Sequence, residues 1–149
     1  MIAGWRKVLI VAGIVMIADQ LTKSIVRGTI LPGDRRQVLA GILDLTNAHN
    51  KGVAFGALAG GGAIVAALTG LALGALVVYF VLRSRTPHLW LPVGLLLGGA
   101  LGNLADRIRA DAVTDFIAVG SWPTFNLADV AITVGVVALV LSFDASRDH

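Results

Sequence analysis

Four apolar runs of about bilayer-crossing length, separated by polar segments, constrain this chain more than any other feature. They cover about 7–26, 59–82, 89–108 and 124–143, and a helix needs about 20 apolar residues to span the hydrocarbon. With 56% hydrophobic residues and a mean hydropathy of +0.84, the 149-residue chain lies outside ordinary soluble composition. The expectation is a single integral membrane domain, mainly α, of four transmembrane helices. Segments at about 27–58 and 109–123 lie outside the bilayer.

Arg6 and Lys7 ahead of Val8 to Ala18 have the look of a signal peptide. No small-residue cleavage site follows, and Asp19-Gln20-Leu21-Thr22-Lys23 carries the helix on to about Val26, so the run is expected to be a span. The net charge of +3 does not point to nucleic acid, because the 12 Lys and Arg are scattered between apolar runs. The chain has no cysteine, which excludes disulfides, thiolate catalysis and Cys-ligated metal. Arg6, Lys7, Arg83, Arg85 and Arg147 fall on the side of the termini and the other seven basic residues opposite, so charge sets no orientation.

Every acidic residue is Asp. Asp144 and Asp148 sit in the polar tail, and Asp34 and Asp44 are expected in a loop around Pro32-Gly33, although Ile42-Leu43-Asp44-Leu45-Thr46 alternates loosely as a strand would. Asp19, Asp106, Asp115 and Asp129 stand in or beside apolar runs, where an ionisable group is costly and marks a functional site. Asp19 and Lys23, four apart, share a helix face and can neutralise each other. Asn103 and Arg107 share a face of the third span, and Asp106 beside Arg107 reads as an interface anchor pair. Asn126, Asp129 and Thr133 form a polar stripe on the last helix. All these clusters, with Asn50, fall at the face opposite the termini.

Asp115 and Asp129 flank a turn at Gly120-Ser121-Trp122-Pro123. If Thr114 to Val119 is extended, Asp115 lies about 15 Å back from the turn. Asp129 lies about 10 Å down a returning helix, so the two carboxyls can meet at similar depth. The three histidines, His49, His88 and His149, form no metal-binding pattern. No metal and no cofactor is expected. Two neighbouring carboxyls can share a proton, the ionised one activating water and the protonated one polarising a carbonyl. Such a pair is the equipment of an aspartyl hydrolase. Asn50, Asn103, Asn126 and Arg107 are suited to hold the pair or the developing charge, and Gly52 allows a turn before the second span. The alternative is a small proton-coupled transporter or channel using Asp19, Lys23, Asp115 and Asp129 as a relay. Transporters usually carry internal repeats, and the two halves here share none.

Five blocks carry a family resemblance: Asp19-Gln20-x-x-Lys23, Asn50-Lys51-Gly52-Val53-Ala54-Phe55, Gly98-Gly99-x-x-Gly102-Asn103-x-x-Asp106-Arg107, Val113-Thr114-Asp115-Phe116 and Phe125-Asn126-x-Ala128-Asp129. In this order the chain resembles bacterial lipoprotein signal peptidase, or signal peptidase II. The resemblance implies a four-helix aspartyl endopeptidase of the bacterial cytoplasmic (inner) membrane with cytoplasmic termini. It would cleave diacylglyceryl-modified prolipoproteins just before the lipidated cysteine, near the outer face. Asp115 and Asp129 match the catalytic pair, and Asp19, Lys23, Asn50, Gly52, Asn103, Arg107 and Asn126 the supporting residues. A small β-sheet between the first and second helices would cradle the lipidated substrate. Membrane lipid and a globomycin-type inhibitor are the further implied ligands, and a monomer is expected.

Overall fold

The computed structural model describes residues 2–39, 41–51, 61–83, 86 and 88–144. Gly52, singled out in the sequence, lies outside them. Helices α1 (Ile2–Thr29), α2 (Gly61–Leu82), α3 (Trp90–Ala110) and α4 (Leu127–Asp144) carry a sheet of β1 (Arg35–Leu39), β2 (Leu43–Asn50) and β3 (Val113–Val119).

Helix α1 is amphipathic in an inverted sense. On α1, Ile10, Ile14, Ile17, Leu21 and Ile25 repeat at helical spacing and are exposed, whereas Asp19 and Lys23 on the opposite face are completely buried. An apolar face turned outward has its solvent in lipid. Helix α1 meets the length and apolarity of a membrane span over Gly4–Thr29, and Ala67–Leu82 and Leu127–Ser142 are shorter apolar helices. Among the described residues, one helix is thus long and apolar enough to cross a membrane, against the four expected.

Helix α3 packs between α1 and α4, with α2 against its side. Glycines permit the close approach. A Cβ at Gly98 would lie 2.7 Å from the Ala12 carbonyl oxygen on α1, and one at Gly99 would lie 2.5 Å from that of Ala128 on α4. One apolar cluster, Val8, Ala12, Phe80, Leu89, Val93 and Leu97, closes the end near the N-terminus, with Trp5 edge-on to Phe80 at 4.8 Å between ring centres. A second, Val26, Ile30 and Phe116, seats the sheet on α1. The buried polar residues of α1 lie between these clusters.

The sheet is antiparallel in the order β1-β2-β3. Two expectations are corrected here. The sheet is not confined to the link between the first two helices, because its third strand follows α3. Asp44 lies not in a loop but in β2, opposite Gln37 and Ala118 and 3.8 Å from Arg35. The β2–β3 register shifts between Leu45 and Ala48. At this irregularity Asn47 donates to the Ile30 carbonyl at 2.9 Å and Thr46 to that of Asp34 at 2.8 Å. Beyond it Ala48 pairs with Asp115 and Asn50 with Val113, which brings the Asn50 side chain to Asp115. A local shift that re-aims side chains is the usual work of a β-bulge.

Candidate active site

Each carboxyl of the candidate pair is placed by its own element. Asp115 is in the middle of β3, buried, its Oδ1 accepting from Asn126 Nδ2 at 2.7 Å and its Oδ2 from Asn50 Nδ2 at 2.9 Å. Asp129 is in the first turn of α4; Asn103 Nδ2 donates to its Oδ1 at 2.8 Å and the Asn126 backbone N–H to its Oδ2 at 3.1 Å. Asn126 therefore holds both carboxyls.

The route between them differs from the expected turn and returning helix. After Gly120, Phe125 pairs with Ile117 through backbone hydrogen bonds of 2.8 and 3.0 Å, and the helix begins only at Leu127. Asn126 is thus a cap ahead of α4 and not part of a stripe along it: its Oδ1 accepts the Asp129 N–H at 3.0 Å. With the reciprocal bond from the Asn126 N–H, this is a capping box. Thr133 is exposed and donates to the Asp129 carbonyl oxygen at 2.8 Å.

Behind the pair stands a buried ionic cluster. Lys23 Nζ lies 2.8 Å from Asp19 Oδ2, 3.0 Å from Asp106 Oδ2 and 2.9 Å from Asn103 Oδ1. At zero exposure Lys23 does not snorkel. Asp19 Oδ1 also accepts the Ala128 N–H at 3.0 Å, tying α1 to the start of α4. A Cβ at Gly102 would lie 2.6 Å from Asp19 Oδ2, so the cluster needs glycine there.

Asp106 is not paired with its neighbour Arg107, as the sequence had it. It accepts from Lys23, from Gln20 Nε2 at 3.1 Å and from the Thr114 N–H at 3.2 Å, with Arg27 at 3.7 Å. Arg107 reaches back to the Asn103 carbonyl oxygen at 3.4 Å, and its buried Nε has no partner. Gln20 and Arg27 are members of the site to which the sequence gave no part, and Asp106, expected as an interface anchor, belongs to its core. The signal for Asp106 was its spacing, three residues from Asn103 on the same face.

Burial pushes the Asp115 carboxyl above its ordinary range, and the negative charge of Asp129 adds to this. The bonds from Asn50 and Asn126 and the charge of Lys23 oppose it. A hollow of about 350 Å³ opens beside Asp129, walled by Trp122, Phe125, Val130, Thr133 and Val134. Among the described residues no group of three His, Cys, Asp or Glu is placed to hold a metal ion.

A pair of amide-held carboxyls beside an apolar hollow, in a bundle whose outward face is hydrocarbon, has the organisation of a membrane aspartic peptidase. The sequence profile of the Signal peptidase (SPase) II family matches residues 11–144. The chain is 42% identical over 132 residues to a lipoprotein signal peptidase of Moorella thermoacetica, covering 88% of each. It is 39% identical over 144 residues to one of Syntrophus aciditrophicus, covering 89% of each. Its fold is similar to that of a bacterial membrane enzyme solved by the in meso method at 1.9 Å resolution, with a TM-score of 0.84, 34% identity and 91% of each chain covered. A second such structure, at 2.3 Å, gives a TM-score of 0.83 at 33% identity, covering 94% of this chain and 88% of the other. The chain belongs to the signal peptidase II family, which is one of aspartic peptidases, and the transport reading is not favoured.

Proposed function

We propose that Asp115 and Asp129 are the catalytic pair with which this enzyme removes signal peptides from lipoproteins. The observation that carries the reading is the shared clamp: Asn126 binds Asp115 through its side chain and Asp129 through its backbone N–H. Asp129, in the first turn of α4, stands where the helix dipole favours an anion. It is the partner that removes a proton from the attacking water. Asp115, buried in β3, is the partner that carries the proton and donates it to the scissile carbonyl oxygen as the water oxygen bonds to the carbon. Collapse of the tetrahedral intermediate breaks the C–N bond, with a proton passing to the leaving nitrogen. Asn50, Asn103 and Arg107 orient the pair and the substrate backbone, and Gly52 belongs to the same supporting set.

The cut falls just before a diacylglyceryl-modified cysteine. The hollow beside Asp129, apolar on most of its wall, suits a segment that arrives from lipid. In the membrane the four helices span, the termini are cytoplasmic and the sheet stands at the outer face of the inner membrane. The outward apolar faces of α1, α2 and α4 support this placement. The enzyme acts as a monomer, contacts membrane lipid and is blocked by globomycin-type inhibitors.

The test is cleavage of a diacylglyceryl-modified prolipoprotein by the purified protein in a metal chelator, comparing wild type with Asp115→Asn and Asp129→Asn. Activity that survives chelation and is lost in both folded variants is expected. Full activity in either variant would remove that residue from the pair.

A further inference from the structure

The buried ammonium of Lys23 makes its ion pairs with Asp19 and Asp106, not with Asp115 or Asp129. Its third contact is the Oδ1 of Asn103, so its three N–H donors are all engaged. That oxygen accepts a second hydrogen bond, from Asn126 Nδ2 at 3.1 Å. Two donors converging on one end of the Asn103 amide leave a single orientation. Reversed, its NH2 group would face an ammonium and another amide NH2 in a buried site. The Asn103 Nδ2 is therefore turned to Asp129, which it reaches at 2.8 Å. The other hydrogen of Asn126 Nδ2 goes to Asp115 Oδ1.

We propose that Lys23 is a positioning residue for the catalytic pair: by holding Asn103 Oδ1 it dictates that Asn103 presents N–H to Asp129 and completes the acceptor that steadies the Asn126 clamp on Asp115. This rests on the assignment of Asp115 and Asp129 above. Lys23 works at one remove, its charge polarising the Asn103 amide so that the N–H facing Asp129 becomes a stronger donor. Asp19 and Asp106 hold the ammonium in place. The geometry gives them a part in catalysis that a purely structural ion cluster lacks.

The effect on pH follows from the charges around the pair. Asp19, Lys23 and Arg27 face it from α1, Asp106 and Arg107 from α3, Asp115 from β3 and Asp129 from α4, with exposed His49 on β2 opposite Thr114. Within this set, the charge of Lys23 favours the ionised form of Asp115. Without it Asp115 keeps its proton to higher pH, and the alkaline limb of the activity profile moves upward.

Substituting Lys23 alone would strand two buried carboxylates; Lys23→Gln/Asp106→Asn keeps the net charge and leaves only Asp19, which retains the Gln20 Nε2 at 3.2 Å and the Ala128 N–H at 3.0 Å as donors. The expected result is a fall in kcat of about a hundredfold, with KM little changed and the alkaline limb displaced upward. A role in folding alone would lower the melting temperature and leave the pH profile in place. A second measurement uses the unaltered enzyme in detergent micelles, with 15N-labelled asparagine and Asn103 assigned by substitution. One Asn103 side-chain NH proton should shift as the pair titrates. A folded double variant with wild-type kcat and pH profile would overturn the proposal, as would Asn103 NH2 signals indifferent to the titration. The spectra decide even if the double variant does not fold. Should Asp115→Asn or Asp129→Asn retain activity, it is the catalytic assignment that fails and not this relay alone.

Discussion

Asn126 and Asp129 cap each other: the Asn126 Oδ1 accepts the Asp129 N–H at 3.0 Å and the Asp129 Oδ2 accepts the Asn126 N–H at 3.1 Å. The start of α4 and the orientation of a candidate catalytic carboxyl are therefore one structure. Helix capping and carboxyl placement, usually separate, are coupled here through two residues.

That coupling can be taken apart. Asn126→Ala should lose about 1–2 kcal/mol of stability with the cap, and activity with it. Asn126→Ser keeps an oxygen for the Asp129 N–H but has no Nδ2 for Asp115. It should recover most of the melting temperature and little of the kcat. Thermal unfolding beside single-substrate kinetics separates the two effects, and equal recovery of both would deny Asn126 its clamp.

Asp106 accepts from two elements at once, from α1 through Lys23 and Gln20 and from β3 through the Thr114 N–H. Asp106→Asn leaves Lys23 neutralised by Asp19 and removes the charged acceptor of Lys23, Gln20 and the Thr114 N–H. Losing charge-assisted hydrogen bonds in a buried site costs about 1.5–3 kcal/mol. Chemical or thermal unfolding in detergent should register a loss of that size, whereas a change within error would place the cluster's weight elsewhere.

The α3 glycines differ from those of α2 in what surrounds them. Gly99→Ala drives a methyl into the Ala128 carbonyl, one residue before Asp129, and should cost about 1–3 kcal/mol together with activity. Gly70→Ala meets nothing within 4 Å and should be neutral or stabilising by up to about 1 kcal/mol. Melting temperatures of the two variants should move in opposite directions or differ by several degrees; identical shifts would contradict the packing.

The raised value of Asp115 has a sign that can be followed. A carboxyl that is harder to ionise when folded adds stability below its unfolded value, about 3.9, and that contribution is lost as pH rises through the folded value. Relative to Asp115→Asn, which does not titrate, the wild type should lose stability on going upward from about pH 4. A difference between the two that stays flat with pH would show Asp115 to be unperturbed.

Much of this was readable from residue order. An extended Thr114 to Val119 ahead of the Gly120 turn was legible and is the strand that carries Asp115, while Asn126-x-x-Asp129, read as a stripe along the helix, has the spacing of a capping box. What escaped the reading depends on distant segments. Whether Asp106 pairs with Arg107 beside it or with Lys23 on another helix is settled by packing, and Gly94, Gly98 and Gly102 let α1 come close enough for Lys23 to prevail. The third strand joins the sheet from across α3 for the same reason: pairing between Leu43 and Val119 is a tertiary event that local pattern does not encode.

The hydrogen bond from the Ala128 N–H to Asp19 joins residues 109 positions apart. A ribosome delivers Asp19 and Lys23 early and Asp129 among the last residues of the fold, so the nascent chain holds its first carboxylate ready long before the helix it receives is made. Until α4 docks, Asn103 has no Asp129 to face and Asp115 no Asn126 to grip it. With Asp115 and Asp129 as the proposed pair, the peptidase would be built inert and armed only when α4 docks.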